Sequence, residues 1–185
     1  MSIDLQTGLL AEARFVPSQN FDERPDNTSI DLLVIHNISL PPNEFGGPFI
    51  EQLFTNCLDP EAHPYFRDIC HLQVASHLLI RRNGEIIQFV PFHKRAWHAG
   101  ESCFEDRQRC NDFSIGIELE GADDIPFEDI QYEQLIKVSQ AILSTYNKIK
   151  SDNIVGHSDI APGRKTDPGP AFDWNRFRAG LTKQT

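Results

Sequence analysis

Residues 31–36 read Asp-Leu-Leu-Val-Ile-His, a short apolar run between a carboxylate and an imidazole. Four consecutive apolar residues suit a strand buried on both faces, where alternate side chains all meet apolar surroundings. A polar, proline-rich stretch follows, so the pattern places His36 at the C-terminal end of a central strand. An imidazole in that position needs a polar partner, because burying it unpaired is costly.

Outward from this run, Ser76–Phe92 (SHLLIRRNGEIIQFVPF) holds Asn83-Gly84 between two β-prone segments, a hairpin signal. A third strand is expected at Ser114–Glu120 (SIGIELE). Its alternation puts Ile115, Ile117 and Leu119 on one face, and Gly116, Glu118 and Glu120 on the other. Between Gln131 and Asn147, the positions Leu135, Ile136, Ile142, Leu143 and Tyr146 trace a helical stripe. Glu128 and Asp129 stand at its N-terminal side, where the helix dipole favours negative charge. A short helix is expected after Asp173, a good N-cap, and another around 48–55. Strands mixed with helices imply an α/β (α+β) fold: one domain over residues 1–185, with a central mixed β-sheet flanked by helices.

The chain has 185 residues, 39% hydrophobic and 24% charged, enough for one domain with a sizeable core. A formal net charge of -10 argues against nucleic-acid binding, which calls for a basic field. No run of eighteen apolar residues occurs, so no membrane span is expected. The first residues (MSIDLQTGLLAEARF) lack the basic and apolar regions of a signal peptide. Cys57, Cys70, Cys103 and Cys110 are then expected to be reduced thiols, and the protein cytoplasmic.

Seven histidines are candidates for chemistry, and most such residues are only surface or hydrogen-bonded core side chains. His36 stands out by ending the apolar run. His157 stands out by opening HSDIAPGRKTDPGP, a loop rich in charge and turn formers. Pro168 biases Asp167 toward extended backbone, so Lys165 and Asp167 should face the same way. A local salt bridge explains that pair as well as a site does. Two imidazoles and one carboxylate would make a catalytic zinc set with the fourth position free for water. Spacing alone does not assemble so long-range a set. Glu118 and Glu120, with Cα atoms roughly 6.5–7 Å apart by strand rise, are surface carboxylates if their face is solvated. If it lines a cleft, one is a candidate general base, or the two a glycosidase pair. Trp97-His98 in RAWHAG offers an aromatic plane that fits either core or ligand.

Taken together, LLVIHNISLPPNEFGGPFI, HPYF, RAWHAG, CNDFSIGIELEG and GHSDIAPGRKTDPGPAFDW span residues 32–174. This set resembles the AmpD-type 1,6-anhydro-N-acetylmuramyl-L-alanine amidases, within the wider zinc amidase and peptidoglycan-recognition family. The resemblance implies one zinc ion per chain held by His36, His157 and Asp167. It also implies Glu118 as catalytic acid/base, Lys165 as the cation beside the metal, and Asn37, Trp97, Arg109 and Ala161 lining the ligand cleft. The implied partner is an anhydro-muropeptide substrate, with no nucleic acid, membrane or obligatory protein partner. Two departures from the family pattern are visible: Gly163 where a Glu is expected, and Glu128 where a Thr often caps the long helix. A non-catalytic peptidoglycan-fragment-binding module is the alternative, though such a module would be expected to lack one of the five metal and catalytic positions. An exported envelope amidase is a further one.

Overall fold

The structure, a computed structural model describing residues 1–182, is organised around one six-stranded sheet. Its strands are β1 (Arg14–Phe15), β2 (Leu32–Ile38), β3 (Leu78–Ile80), β4 (Ile86–Gln88), β5 (Ser114–Glu120) and β6 (Ile154–Gly156). Their spatial order is β6-β2-β5-β3-β4-β1. β6, β2, β5 and β3 run parallel, β4 returns antiparallel to β3, and β1 runs parallel to β4. The sheet is therefore mixed, as the pattern of elements predicts. Among the described residues, four α-helices accompany it: α1 (Phe49–Phe54), α2 (Asp129–Thr145), α3 (His157–Ile160) and α4 (Trp174–Thr182).

The expected strand at 31–36 forms, but β2 continues through Ile38, so His36 is not its end. Asn37 and Ile38 stay in the ladder because they pair with Leu119 and Glu120 of β5. In the β3–β4 hairpin, Arg81 and Glu85 close a loop in which Gly84 takes φ +85° and donates its N–H to the Arg81 carbonyl. A glycine tolerates that left-handed backbone without steric cost. β5 has the expected bounds, and all seven of its residues are buried.

One face of β2 and β5, with Leu33, Ile35, Ile115, Ile117 and Leu119, packs on Leu135, Val138 and Ile142 of α2 and Phe177 of α4. Each fully buried side chain of this kind contributes about 1.5–3 kcal/mol. The α2 helix forms but starts two residues before the expected stripe, at Asp129, and ends at Thr145, so Tyr146 lies at its C-cap. Glu128 donates its backbone N–H to Gln131 Oε1 at 3.0 Å, half of a capping box, while its carboxylate pairs with Arg82. Asp173 Oδ1 accepts the Arg176 N–H at 2.9 Å, the N-cap expected for α4. Gly163 takes φ +77° in open space, a conformation a Glu would adopt only with strain. All four cysteines are unpaired. Among the described residues, no helix is long and apolar enough to cross a membrane.

Candidate active site

The face of the sheet opposite α2 carries the chemistry. His36 on β2 sits directly across from Glu118 on β5 in the parallel register. Gly156 at the end of β6 pairs with Ile35, so the next residue, His157, opens α3 beside His36. The loop after α3 returns Asp167 to the same point, tied down by a 3.0 Å bond from the Ser158 N–H to the Asp167 carbonyl. His36 Nδ1, His157 Nδ1 and Asp167 Oδ2 lie 3.0 Å from one another in all three pairings.

The protons around this triangle can be assigned. His157 Nε2 lies 3.0 Å from the Ala99 carbonyl, which only accepts, so Nε2 carries a hydrogen and Nδ1 is the ring nitrogen turned inward. Burial lowers the His36 ring to a pKa of about 4, so it is neutral near pH 7. Burial alone would raise the Asp167 carboxyl. The neighbouring His157 and His36 rings override it and hold the group well below the usual carboxylate range. Two imidazoles and a carboxylate thus converge on one point, a donor set suited to a divalent cation.

Glu118 is buried, and its Oε2 has no hydrogen-bond partner. Burial first, then the charge of Asp167, pushes its carboxyl well above the ordinary value, while Lys165 pulls the other way. Glu118, Lys165, Asp167 and His157 line a common cavity of about 380 Å³, together with Asn37 and Trp97. No ion pair within 4 Å joins Lys165 to Asp167 among the described residues, so the pairing of two loop charges is not a local salt bridge. Glu120, one strand repeat on, is occupied elsewhere. Its Oε1 accepts from the Gly46 N–H at 2.7 Å and from Arg81 Nη1 at 3.3 Å, and its Oε2 accepts from the Arg82 N–H at 3.1 Å. Nothing in this arrangement makes Glu118 and Glu120 an acid pair across one cleft.

The remaining four sequence candidates sit differently. Asn37 donates from Nδ2 to Asp123 Oδ1 at 2.7 Å and to the Pro168 carbonyl at 3.0 Å, pinning the loop that carries Asp167. Trp97 Nε1 donates to Asp22 Oδ1 at 3.2 Å. Arg109 is exposed, has φ +63° and pairs with Asp112 at 3.3 Å; it is not among the residues lining the cavity. Ala161 is buried beneath the loop, its carbonyl accepting the Lys165 and Arg164 amides, and it too is off the lining. Sequence reasoning gave His98 no such contact, yet its Nδ1 lies 2.9 Å from His36 Nε2. The only available signal was its place beside Trp97 in RAWHAG, because the contact spans 62 residues.

A mixed sheet bearing a buried His-His-Asp cluster beside a buried, unpartnered Glu marks a hydrolase able to use a metal ion. Residues 26–170 match the N-acetylmuramoyl-L-alanine amidase family model, and the chain belongs to that family. It is 60% identical to the 1,6-anhydro-N-acetylmuramyl-L-alanine amidase AmpD of Escherichia coli (strain K12), across 98% of each chain. A crystal structure of a selenomethionine AmpD derivative superposes with a TM-score of 0.95 at 60% identity, covering 98% of this chain and 100% of that one. At 31% identity and a TM-score of 0.60, the chain is also similar to the amidase AmiD of E. coli, solved with the substrate anhydro-N-acetylmuramic acid-L-Ala-D-gamma-Glu-L-Lys. There the match covers 88% of this chain and 66% of that one.

Proposed function

We propose that this protein hydrolyses the amide between the lactyl group of N-acetylmuramic acid and L-alanine in 1,6-anhydro-muropeptides, as a step in cytoplasmic peptidoglycan recycling. The observation that carries the reading is the buried triangle of His36, His157 and Asp167 with the unpartnered Glu118 at its side. The identity to AmpD along nearly the whole chain supports the choice of bond and of the anhydro-sugar.

In this reading His36, His157 and Asp167 hold one zinc ion. Bound there, zinc would supply Lewis acidity toward a water molecule and the amide carbonyl. Glu118, buried and poised high, takes the proton from the attacking water and hands one to the leaving L-alanine nitrogen. Lys165 offers its ammonium where negative charge develops on the former carbonyl oxygen. Trp97 and Asn37 border the space the muropeptide enters, and Arg109, which lies outside that lining, is assigned to a substrate carboxylate. Ala161 shapes the floor of the same loop through its carbonyl bonds to Arg164 and Lys165. Four free thiols support a reducing compartment.

Incubating zinc-loaded and chelator-treated protein with an anhydro-muropeptide, followed by mass spectrometry, tests the assignment. Free peptide plus intact anhydro-sugar, formed by the loaded protein alone, is the expected result. Split sugars or unchanged substrate would overturn it. Cell fractionation checks the compartment.

A further inference from the structure

We infer that His98, braced by Ser114 and seated on Gly116, is a positioning residue that fixes the tautomer and orientation of His36 as a metal ligand. The inference rests on the reading of His36, His157 and Asp167 as a metal site.

A histidine that binds a metal through Nδ1 carries its hydrogen on Nε2, and that hydrogen needs an acceptor to hold the ring. Metal-binding histidines commonly use a carboxylate, a carbonyl or a water for this. His157 follows that pattern, donating to the Ala99 carbonyl. For His36 the atom in place is a second imidazole nitrogen, His98 Nδ1, at 2.9 Å. The two rings meet edge to face, with centroids 5.0 Å apart and planes at 86°, so Nε2–H of one aims at the lone pair of the other. For His98 Nδ1 to accept, its own hydrogen must sit on Nε2. That atom lies 3.0 Å from Ser114 Oγ, a hydroxyl that can accept it. The hydrogen bonds therefore run one way, from His36 to His98 to Ser114.

The backbone under this chain is built for it. Ser114, Gly116 and Glu118 are alternate residues of β5 and so share the face turned to the site. A Cβ at Gly116 would lie 2.4 Å from His98 Nδ1 and 2.6 Å from its Cγ, so the ring occupies space that any larger residue would fill. Gly116 is itself pinned. It donates its N–H to His77 Nδ1 at 3.0 Å and accepts the His77 N–H at 3.1 Å. His77 Nε2 in turn lies 3.1 Å from the Lys94 carbonyl, which fixes that ring as well. The place of His98 is thus set by the strand, not by adjustable surface contacts.

The test measures metal binding rather than turnover. Apo protein is titrated with zinc against a chromophoric chelator, and the visible spectrum of the Co²⁺-loaded form is recorded. His98→Phe keeps a ring on Gly116 but removes the acceptor. It is expected to raise the zinc dissociation constant about 10–100-fold and to shift the Co²⁺ bands. His98→Asn restores an acceptor oxygen at the position of Nδ1, and its affinity should remain within the wild-type order of magnitude. A folded His98→Phe with wild-type affinity and spectrum overturns the inference. So does a His98→Asn as weak as His98→Phe, since ring volume would then matter and the acceptor would not. Should His98→Phe fail to fold, Ser114→Ala reads the same chain from its far end: weaker zinc binding supports it, unchanged binding overturns it. His36→Ala is run in parallel. If wild type takes up no zinc, or His36→Ala binds equally well, the metal-site reading itself falls. If His36→Ala loses zinc while His98→Phe does not, only the role of His98 falls.

Discussion

Glu118 Oε2 is a buried oxygen without a hydrogen-bond partner, a condition that costs about 1–3 kcal/mol and calls for a reason. The proposed reason is that the partner is the attacking water and then the leaving amine. Glu118→Ala should therefore keep its metal while kcat falls about 10²–10⁴-fold, the range for losing a positioned acid/base. Metal analysis beside initial rates checks this, and near-normal turnover would remove Glu118 from the mechanism. For the three triangle residues the expectation is reversed. His36→Ala, His157→Ala and Asp167→Ala should each weaken zinc binding, and full occupancy in all three would sink the ligand assignment. Arg109 and Ala161 gain least from the geometry, since neither lines the cavity that Glu118 and Lys165 share.

At the scale of elements, α2 and β5 are joined by one buried amide. Gln131 Nε2 donates to the Ile80 carbonyl at 3.2 Å and to the Glu120 carbonyl at 3.0 Å, and its Oε1 caps the Glu128 N–H. The side chain therefore starts the helix and also closes the ends of β3 and β5. Gln131→Ala strands these groups away from water and should cost about 1–3 kcal/mol. For a chain of this size, that lowers Tm by roughly 2–12 °C. Differential scanning calorimetry reads the shift, and an unchanged Tm would mean that water replaces the amide. Glu128, the departure from the expected Thr, leaves the helix start intact because Gln131 Oε1 accepts the Glu128 N–H.

Across the whole molecule, stability should depend on pH through the buried ring of His77. Burial, then the neighbouring Arg24 cation, lowers its pKa to about 3 from the ordinary 6.5. The unfolded chain takes up a proton below pH 6.5 that the folded chain refuses until pH falls to about 3. This contribution is complete above pH 6.5 and is lost as pH falls through that window, by up to about 1.4 kcal/mol per pH unit. His77→Asn keeps an acceptor for the Gly116 N–H but has no proton to gain. Urea unfolding between pH 7 and pH 5 should show a shallower loss of stability in the variant than in wild type. Parallel slopes would show that the ring titrates freely in the folded state.

The bounds of β5, the presence of α2 and the Asp173 cap were legible in the sequence because each depends on neighbours within a few residues. Binary alternation and capping chemistry are local, and so they survive folding. The limit of β2 was not legible, since Asn37 and Ile38 are held by Leu119 and Glu120 from another strand. The sequence made His36, His157 and Asp167 candidate ligands only through family resemblance. Bringing their donor atoms to 3.0 Å took the parallel β6–β2–β5 pairing, across separations of up to 131 residues. The same holds for Glu118 and Glu120. On the page they are equivalent carboxylates on one strand face; in the fold, Arg81 and two backbone amides occupy Glu120 and leave Glu118 free. Composition and periodicity determined a mixed α/β domain with buried strands, because those follow from where apolar side chains recur. Tertiary structure alone decided which polar groups share a buried site, because strand register and loop return, not sequence spacing, set those distances.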